Sequence, residues 1–71
     1  MKKLWKAEVN GWGWDHPRTI YAESREEAER LSSQYPAASA VHYAGRFRDL
    51  YADWLLGKID QSEYEARGGK W

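Results

Sequence analysis

The chain has 71 residues, no cysteine, and 11 basic side chains balanced by 11 acidic ones. This length allows one small domain, and the lack of cysteine excludes disulfides, thiolate metal sites and a cysteine nucleophile. The zero net charge argues against generic electrostatic binding to nucleic acid or to an anionic membrane. No apolar run approaches the ~20 residues of a membrane span, and the N-terminal segment lacks the apolar region of a signal peptide. We therefore expect a cytoplasmic protein without a cofactor.

Residues 1–23 have the pattern of a β-hairpin. Trp5, Ala7 and Val9 alternate with polar residues, which is the period of a half-buried strand. A second strand is expected from residue 19 to residue 23, with Ile20 and Ala22 on one face and the intervening residues on the other. The stretch between the two strands contains two glycines and a proline, so it predicts a long or bulged connection.

The next segment, residues 24–35, is predicted to be a helix. Ser24 at its start and Glu27 three residues later form a capping box, and Pro36 ends the helix because it disfavours the α conformation in the preceding residue. Residues 37–45 suit either a helix or a strand. We favour a third strand over 39–44, since an isolated hairpin is marginal in water, and Gly45 would then mark the turn into the next helix.

Two further helices are expected in the C-terminal third. Residues 46–56 place five large apolar side chains on one face, and Gly57 suits the position just after the helix end. A short helix over 60–67 would be capped by Asp60. The expected core consists of Trp5, Val9, Ile20, Ala22, Ala28, Leu31, Val41, Phe47, Leu50, Tyr51, Trp54, Leu55, Ile59 and Tyr64. The predicted fold class is a single α+β domain of order ββα(β)αα, with a small antiparallel sheet against two or three helices.

The C-terminal pattern also has a family resemblance. The sequence from Leu55 to Glu65 contains a glycine turn, an isoleucine and an acidic, capped helix with an aromatic residue. Together with the preceding helix, residues 46–67 resemble the short helical hairpins called SHOCT domains. This resemblance implies a role in oligomerisation or docking.

No combination of residues in the sequence indicates catalysis or metal binding. His16 follows Asp15 in the expected turn, and His42 lies in the possible third strand, but no nucleophile or third ligand accompanies either histidine. The glycines near residue 12 lack the lysine and hydroxyl residue of a phosphate-binding loop. We therefore expect that the chain is not an enzyme and binds no metal.

The strongest functional signal is the aromatic content of 15%, which exceeds what so small a core accommodates easily. Trp12 and Trp14 fall on the outer side if the strand continues regularly, and a one-residue bulge would turn them into the core. The outward alternative creates a partner-binding patch, because Trp, Tyr and Arg are enriched at binding hot spots. Its residues are Trp12, Trp14, His16, Arg18 and Tyr21.

We expect a non-enzymatic module that binds another protein. In length, absence of cysteine and hairpin-plus-helix build, the chain resembles small accessory proteins of phages and mobile elements, of which anti-CRISPR proteins are the best-known group. That resemblance implies inhibition of a host defence complex, such as a CRISPR effector, in the host-cell cytosol. One alternative is binding of single-stranded nucleic acid by the aromatic face of the hairpin, and another is a bacterial adaptor or oligomerisation module. A second candidate surface is acidic and consists of Glu23, Glu26, Glu27 and Glu29.

Overall fold

The computed structural model describes residues 1–69 and has an α+β fold, as predicted. Four antiparallel strands and three short helices follow one another in this part of the chain, in the order ββαββαα. The elements are β1 (Lys2–Asn10), β2 (Arg18–Ala22), α1 (Arg25–Ser32), β3 (Ala37–Ala38), β4 (His42–Phe47), α2 (Asp49–Leu55) and α3 (Gln61–Ala66). No helix within residues 1–69 has the length and apolarity needed to cross a lipid bilayer.

The long first strand is the centre of the sheet. On one side β1 pairs with β2, with Ala7 opposite Ile20. On the other side it pairs first with β3 and then with β4, which lie end to end along the same edge. The segment that is ambiguous in sequence therefore supplies two short strands. Both belong to the sheet and neither is helical.

The hydrogen bonding of β1 shows which backbone groups of β2 lie at the free edge. The amide of Ser39 donates to the Glu8 carbonyl at 2.8 Å, so the backbone polar groups of Glu8 point away from β2. Backbone N–H and C=O groups of successive residues in a strand point to opposite neighbouring strands. The groups of Ala7, the residue before Glu8, therefore point toward β2 and bond to its register partner Ile20. The N–H and C=O groups of Thr19 and Tyr21 consequently point outward from the sheet.

The helices cover opposite faces of the sheet at opposite ends of β1. Ala7 and Val9 share one face and are each about 1% exposed beneath α1, the helix that contacts both β1 and β2. Leu4 lies on the other face and is fully buried. Lys2 lies on the same face as Leu4, and its ammonium is 2.9 Å from Asp53 in α2. This contact shows that α2 covers that face. The core is therefore divided between two faces of one strand.

The helix ends largely follow the sequence prediction. The Ser24 hydroxyl accepts from the Glu27 amide at 3.1 Å, and the Asp60 carboxylate accepts from the Glu63 amide at 2.8 Å. Gly57 has φ +79° and follows α2 as expected. The amides of residues 57 and 58 bond to the carbonyls of residues 54 and 53, which is a Schellman ending.

Four parts of the secondary-structure prediction are corrected. The first helix ends at Ser32 and not at residue 35, because the amides of Gln34 and Tyr35 bond to carbonyls three residues back and so leave the α-helical pattern. The predicted single strand over 39–44 is replaced by β3 and β4, which residues 39–41 connect.

The second helix begins at Asp49, not at residue 46, because Arg46 and Phe47 extend β4 alongside the start of β1. Gly45 is not a strand-to-helix turn. It lies inside β4 with φ +114°, where a bulge at Ala44 shifts the register against β1.

The core is also smaller and less aromatic than predicted. The most buried apolar side chains are Leu4, Ala7, Val9, Ala22, Ala28, Ala52 and Tyr64. Leu4 and Ala52 were not expected in the core, and Ala7 was expected on the buried face of β1 but not among the core residues. Tyr51 is 38% exposed. Its ring instead joins a chain of stacked and tilted rings on α2 and α3, with centroid distances of 5.9 Å to Trp54 and 6.2 Å to Tyr64.

Candidate binding surface at the hairpin tip

The connection between β1 and β2, residues 11–17, is the tip of the hairpin and contains a tight turn. The Trp14 amide donates to the Gly11 carbonyl at 3.3 Å, which closes a four-residue β-turn. Gly13 is the third residue of this turn and has φ +78°, a conformation that favours glycine. Trp12 is therefore at the corner of the turn and Trp14 at its exit.

This turn separates the two indoles. Trp12 is 89% exposed, whereas Trp14 is half-buried and folds back over the backbone. A Cβ added at Gly11 would lie only 2.6 Å from the Trp14 ring, so the absence of a side chain there makes room for the indole. The sequence left two alternatives, with both indoles outward or both turned into the core, and neither of these describes the pair. The prediction that they share one face is wrong because the strand ends at Asn10.

Trp14 is fixed by contacts from two elements. Its ring meets the Tyr35 ring, which follows α1, edge to face at a centroid distance of 5.6 Å. The guanidinium carbon of Arg18, at the start of β2, lies 4.9 Å from the Trp14 ring centroid, within cation–π range. The turn is thus attached to both the sheet and the helix layer, which holds Trp12 in a defined place.

The remaining predicted tip residues divide into two groups. His16 is exposed and borders a shallow cleft together with Trp14 and Arg18. Tyr21 does not join them. It lies on the opposite face of the sheet, next to Phe47 at a ring-centroid distance of 6.4 Å. Burial raises the pKa of the Tyr21 phenol, and we assign this residue to the packing of the α2 side.

The acidic candidate surface is also divided. Glu23 lies 3.7 Å from the Lys2 ammonium and 3.3 Å from that of Lys58, so its charge is balanced by basic groups. The Glu27 amide donates to the capping hydroxyl of Ser24, and the Glu27 carboxylate lies 3.8 Å from the Arg30 guanidinium. Glu26 and Glu29 are exposed on α1. The four glutamates do not form one unbalanced acidic face.

The structure brings together one set of polar residues that the sequence did not indicate. Glu8, Ser39 and His42 border a common cleft on the open part of the sheet. The Ser39 hydroxyl accepts from the Glu8 amide at 2.9 Å and donates to the Ala40 carbonyl at 3.2 Å. These bonds connect β3 to β1 and direct the hydroxyl toward the backbone. Within residues 1–69, no group of three or more His, Asp or Glu side chains could hold a metal ion.

A second feature missed in the sequence is a cluster of basic and aromatic side chains at the start of β1, on the α1 face. It contains Lys3, Trp5, Tyr43 and Arg46. The signal was present in sequence as alternating Lys3 and Trp5. Its partners on β4 could not be identified without the register.

Comparisons with known proteins add no relative to this description. Neither the protein-family models, nor the curated proteins, nor the solved structures gave a match to the chain. The candidate function therefore rests on the geometry of the chain itself.

Proposed function

We propose that this protein is a non-enzymatic module that binds another protein through its hairpin tip, with Trp12 as the anchor. The observation that carries the proposal is the 89% exposure of Trp12 on a turn that is itself firmly held. An exposed indole is costly to leave in water and contributes strongly when a partner buries it.

The rigidity of the tip supports this role. Trp14 attaches the turn to Tyr35 and Arg18, so the position of Trp12 is fixed before a partner arrives. A fixed anchor loses less conformational entropy on binding than a mobile one. Arg18 and His16 lie close enough along the tip to form a polar rim around the anchor.

The test compares Trp12→Ala with Arg25→Ala, which truncates an exposed side chain at the start of α1. The partner is first identified by capture from host cells with wild-type bait, and its affinity for the wild type and for each variant is then measured with purified proteins. We expect Trp12→Ala to weaken binding by at least roughly thirtyfold, about 2 kcal/mol. Its melting temperature should stay close to that of the wild type, because the exposed Trp12 side chain makes few packing contacts that truncation would remove.

The control variant Arg25→Ala should bind the same partner as tightly as the wild type. Equal affinity of Trp12→Ala and wild type for the captured partner would refute the tip as the binding site. The narrower proposal, that the partner belongs to a host defence complex in the cytosol, is supported only by the resemblance in size and build to phage accessory proteins. Identification of the captured partner tests it directly.

A further inference from the structure

The end of the sheet opposite the tip carries two basic side chains directly across from each other. Lys3 on β1 is the register partner of Arg46 on β4, and both are exposed. Directly opposed like charges destabilise an antiparallel pair. Within residues 1–69, no carboxylate lies within 4.0 Å of either group. Neither cation is therefore neutralised by an ion pair within residues 1–69.

Two rings lie next to these charges on the same face. Trp5 is two residues after Lys3 and is the register partner of Tyr43. The two rings meet edge to face at a centroid distance of 5.4 Å, and Tyr43 is 50% exposed. We call Lys3, Trp5, Tyr43 and Arg46 the sheet-end platform. α1 covers this face further along β1, over Ala7 and Val9.

We propose that the sheet-end platform binds single-stranded nucleic acid, with an unpaired base stacked on Tyr43 and phosphates bound by Lys3 and Arg46. Uncompensated cations match the charge of the phosphate backbone. A half-exposed ring beside them provides the stacking surface that single-strand-binding proteins use. This site is separate from the protein-binding tip, since β1 places about 23 Å between Lys3 and Asn10 at about 3.3 Å per residue.

The aromatic part of the platform distinguishes its ligand from other anions. A duplex keeps its bases stacked inside the helix and offers only phosphates, as an acidic peptide offers only carboxylates. A single strand offers both groups, because its unpaired bases can stack on the rings while its phosphates bind the cations. The neutral net charge of the whole chain implies that binding is local and modest in strength.

The experiment measures binding of an oligothymidylate or an oligouridylate of about 16 nucleotides, the upper site size of one small single-strand-binding fold. The full chain is titrated at low and at physiological salt. The key variant is Lys3→Gln/Arg46→Gln. The matched control is Arg30→Gln/Arg67→Gln, which removes the same charge from two exposed ion pairs elsewhere.

We expect the platform variant to bind at least about tenfold more weakly at low salt. The slope of its logarithmic affinity against logarithmic salt concentration should be less steep, by about 0.7 for each phosphate that the variant no longer neutralises. The control should stay within about twofold of the wild type. Tyr43→Phe should bind like the wild type and Tyr43→Ala more weakly, because stacking needs the ring and not the hydroxyl.

Three results would overturn the proposal. The first is no measurable binding to either oligonucleotide at low salt. The second is an equal loss in the platform and control variants, which would indicate a general charge effect. The third is equal or tighter binding of a blunt duplex, or of a polyglutamate peptide of matched charge, since neither offers a free base. Thermal melting of each variant verifies that the compared proteins are folded.

Discussion

At the scale of single residues, the missing side chain at Gly11 determines where an indole goes. The Trp14 ring occupies the space that a Cβ at Gly11 would need. The backbone of Gly11 does not have a positive φ, unlike that of Gly13. An alanine at position 11 therefore carries no backbone penalty, and only its contact with the ring matters.

Gly11→Ala tests this contact through a double-mutant cycle. In the wild-type background we expect a loss of about 1–3 kcal/mol in unfolding free energy, because the methyl group displaces the indole. In the Trp14→Ala background the same substitution should cost almost nothing. Urea unfolding of the four proteins measures the coupling. Additive effects of the two substitutions would mean that the Trp14 ring does not rest on Gly11.

The residue scale also shows a limit of sequence patterns. Period-two parity places Trp12 and Trp14 on one face, since they are two residues apart. The turn hydrogen bond between residues 14 and 11 reverses the chain between them. Parity applies only inside a strand, and the glycines mark a break without showing which way each indole turns.

At the scale of elements, local signals were reliable where the chemistry is local. The caps at Ser24 and Asp60 and the glycine ending of α2 could be predicted, because each is decided within a few residues. The start of α2 could not. Phe47 has the spacing of a helical apolar face, but pairing with Lys2 holds it in β4. Whether Phe47 belongs to a helix or to a strand is decided only by its pairing with Lys2, which is distant in sequence.

One ion pair connects the first strand to α2 and should make stability depend on pH. The Lys2 ammonium donates a hydrogen bond to Asp53, and this bond is the main reason that the pKa of Asp53 is lowered and that of Lys2 is raised. A carboxyl with a lowered folded pKa stabilises the fold above its unfolded value of about 3.9, and this contribution is lost as pH falls through the folded pKa. A raised lysine pKa contributes below about 10.4 and is lost as pH rises through the folded pKa.

The prediction is tested with Asp53→Asn across the pH range. We expect the wild type to exceed the variant in urea midpoint by a constant amount between about pH 5 and pH 10, and the difference to shrink on either side. Asp15→Asn is the control, since the exposed Asp15 forms no ion pair within the described residues. A difference that stays constant down to pH 2 would exclude a role for the Asp53 charge.

At the scale of the whole molecule, the fold class could be predicted but the two-sided arrangement could not. The alternation of Ala7 and Val9 indicates one buried face of β1, and that face is buried. The same alternation assigns Leu4 to the polar side, because its neighbours of the same parity are Lys2 and Lys6. Leu4 is buried because α2 covers that end of the sheet. Which face a helix covers depends on chain connectivity, which no local pattern encodes.

This arrangement also explains the surplus of rings. The helix α1 covers one face at one end of the sheet, and α2 covers the other face at the other end. Each face therefore keeps one uncovered half, which is an uncovered quarter of the sheet surface, and the hairpin tip projects beyond the sheet. Among the rings of residues 1–69, Tyr64 alone is nearly fully buried, at 3% exposure, whereas Tyr43 lies in an uncovered quarter and Trp12 at the tip. The aromatic side chains are thus divided between the core and the surface.

The outward-facing edge of β2 has a consequence for amide hydrogen exchange. Alternate amides of this strand should differ in protection although they belong to one element, because those of Ile20 and Ala22 bond to β1 and those of Thr19 and Tyr21 point away from β1. We expect exchange at Thr19 and Tyr21 at rates close to those of an unstructured chain, and much slower exchange at Ile20 and Ala22. Amide exchange followed by NMR resolves the four positions individually. Slow exchange at all four in dilute solution would mean that a further strand, from a second copy of the chain, already occupies that edge.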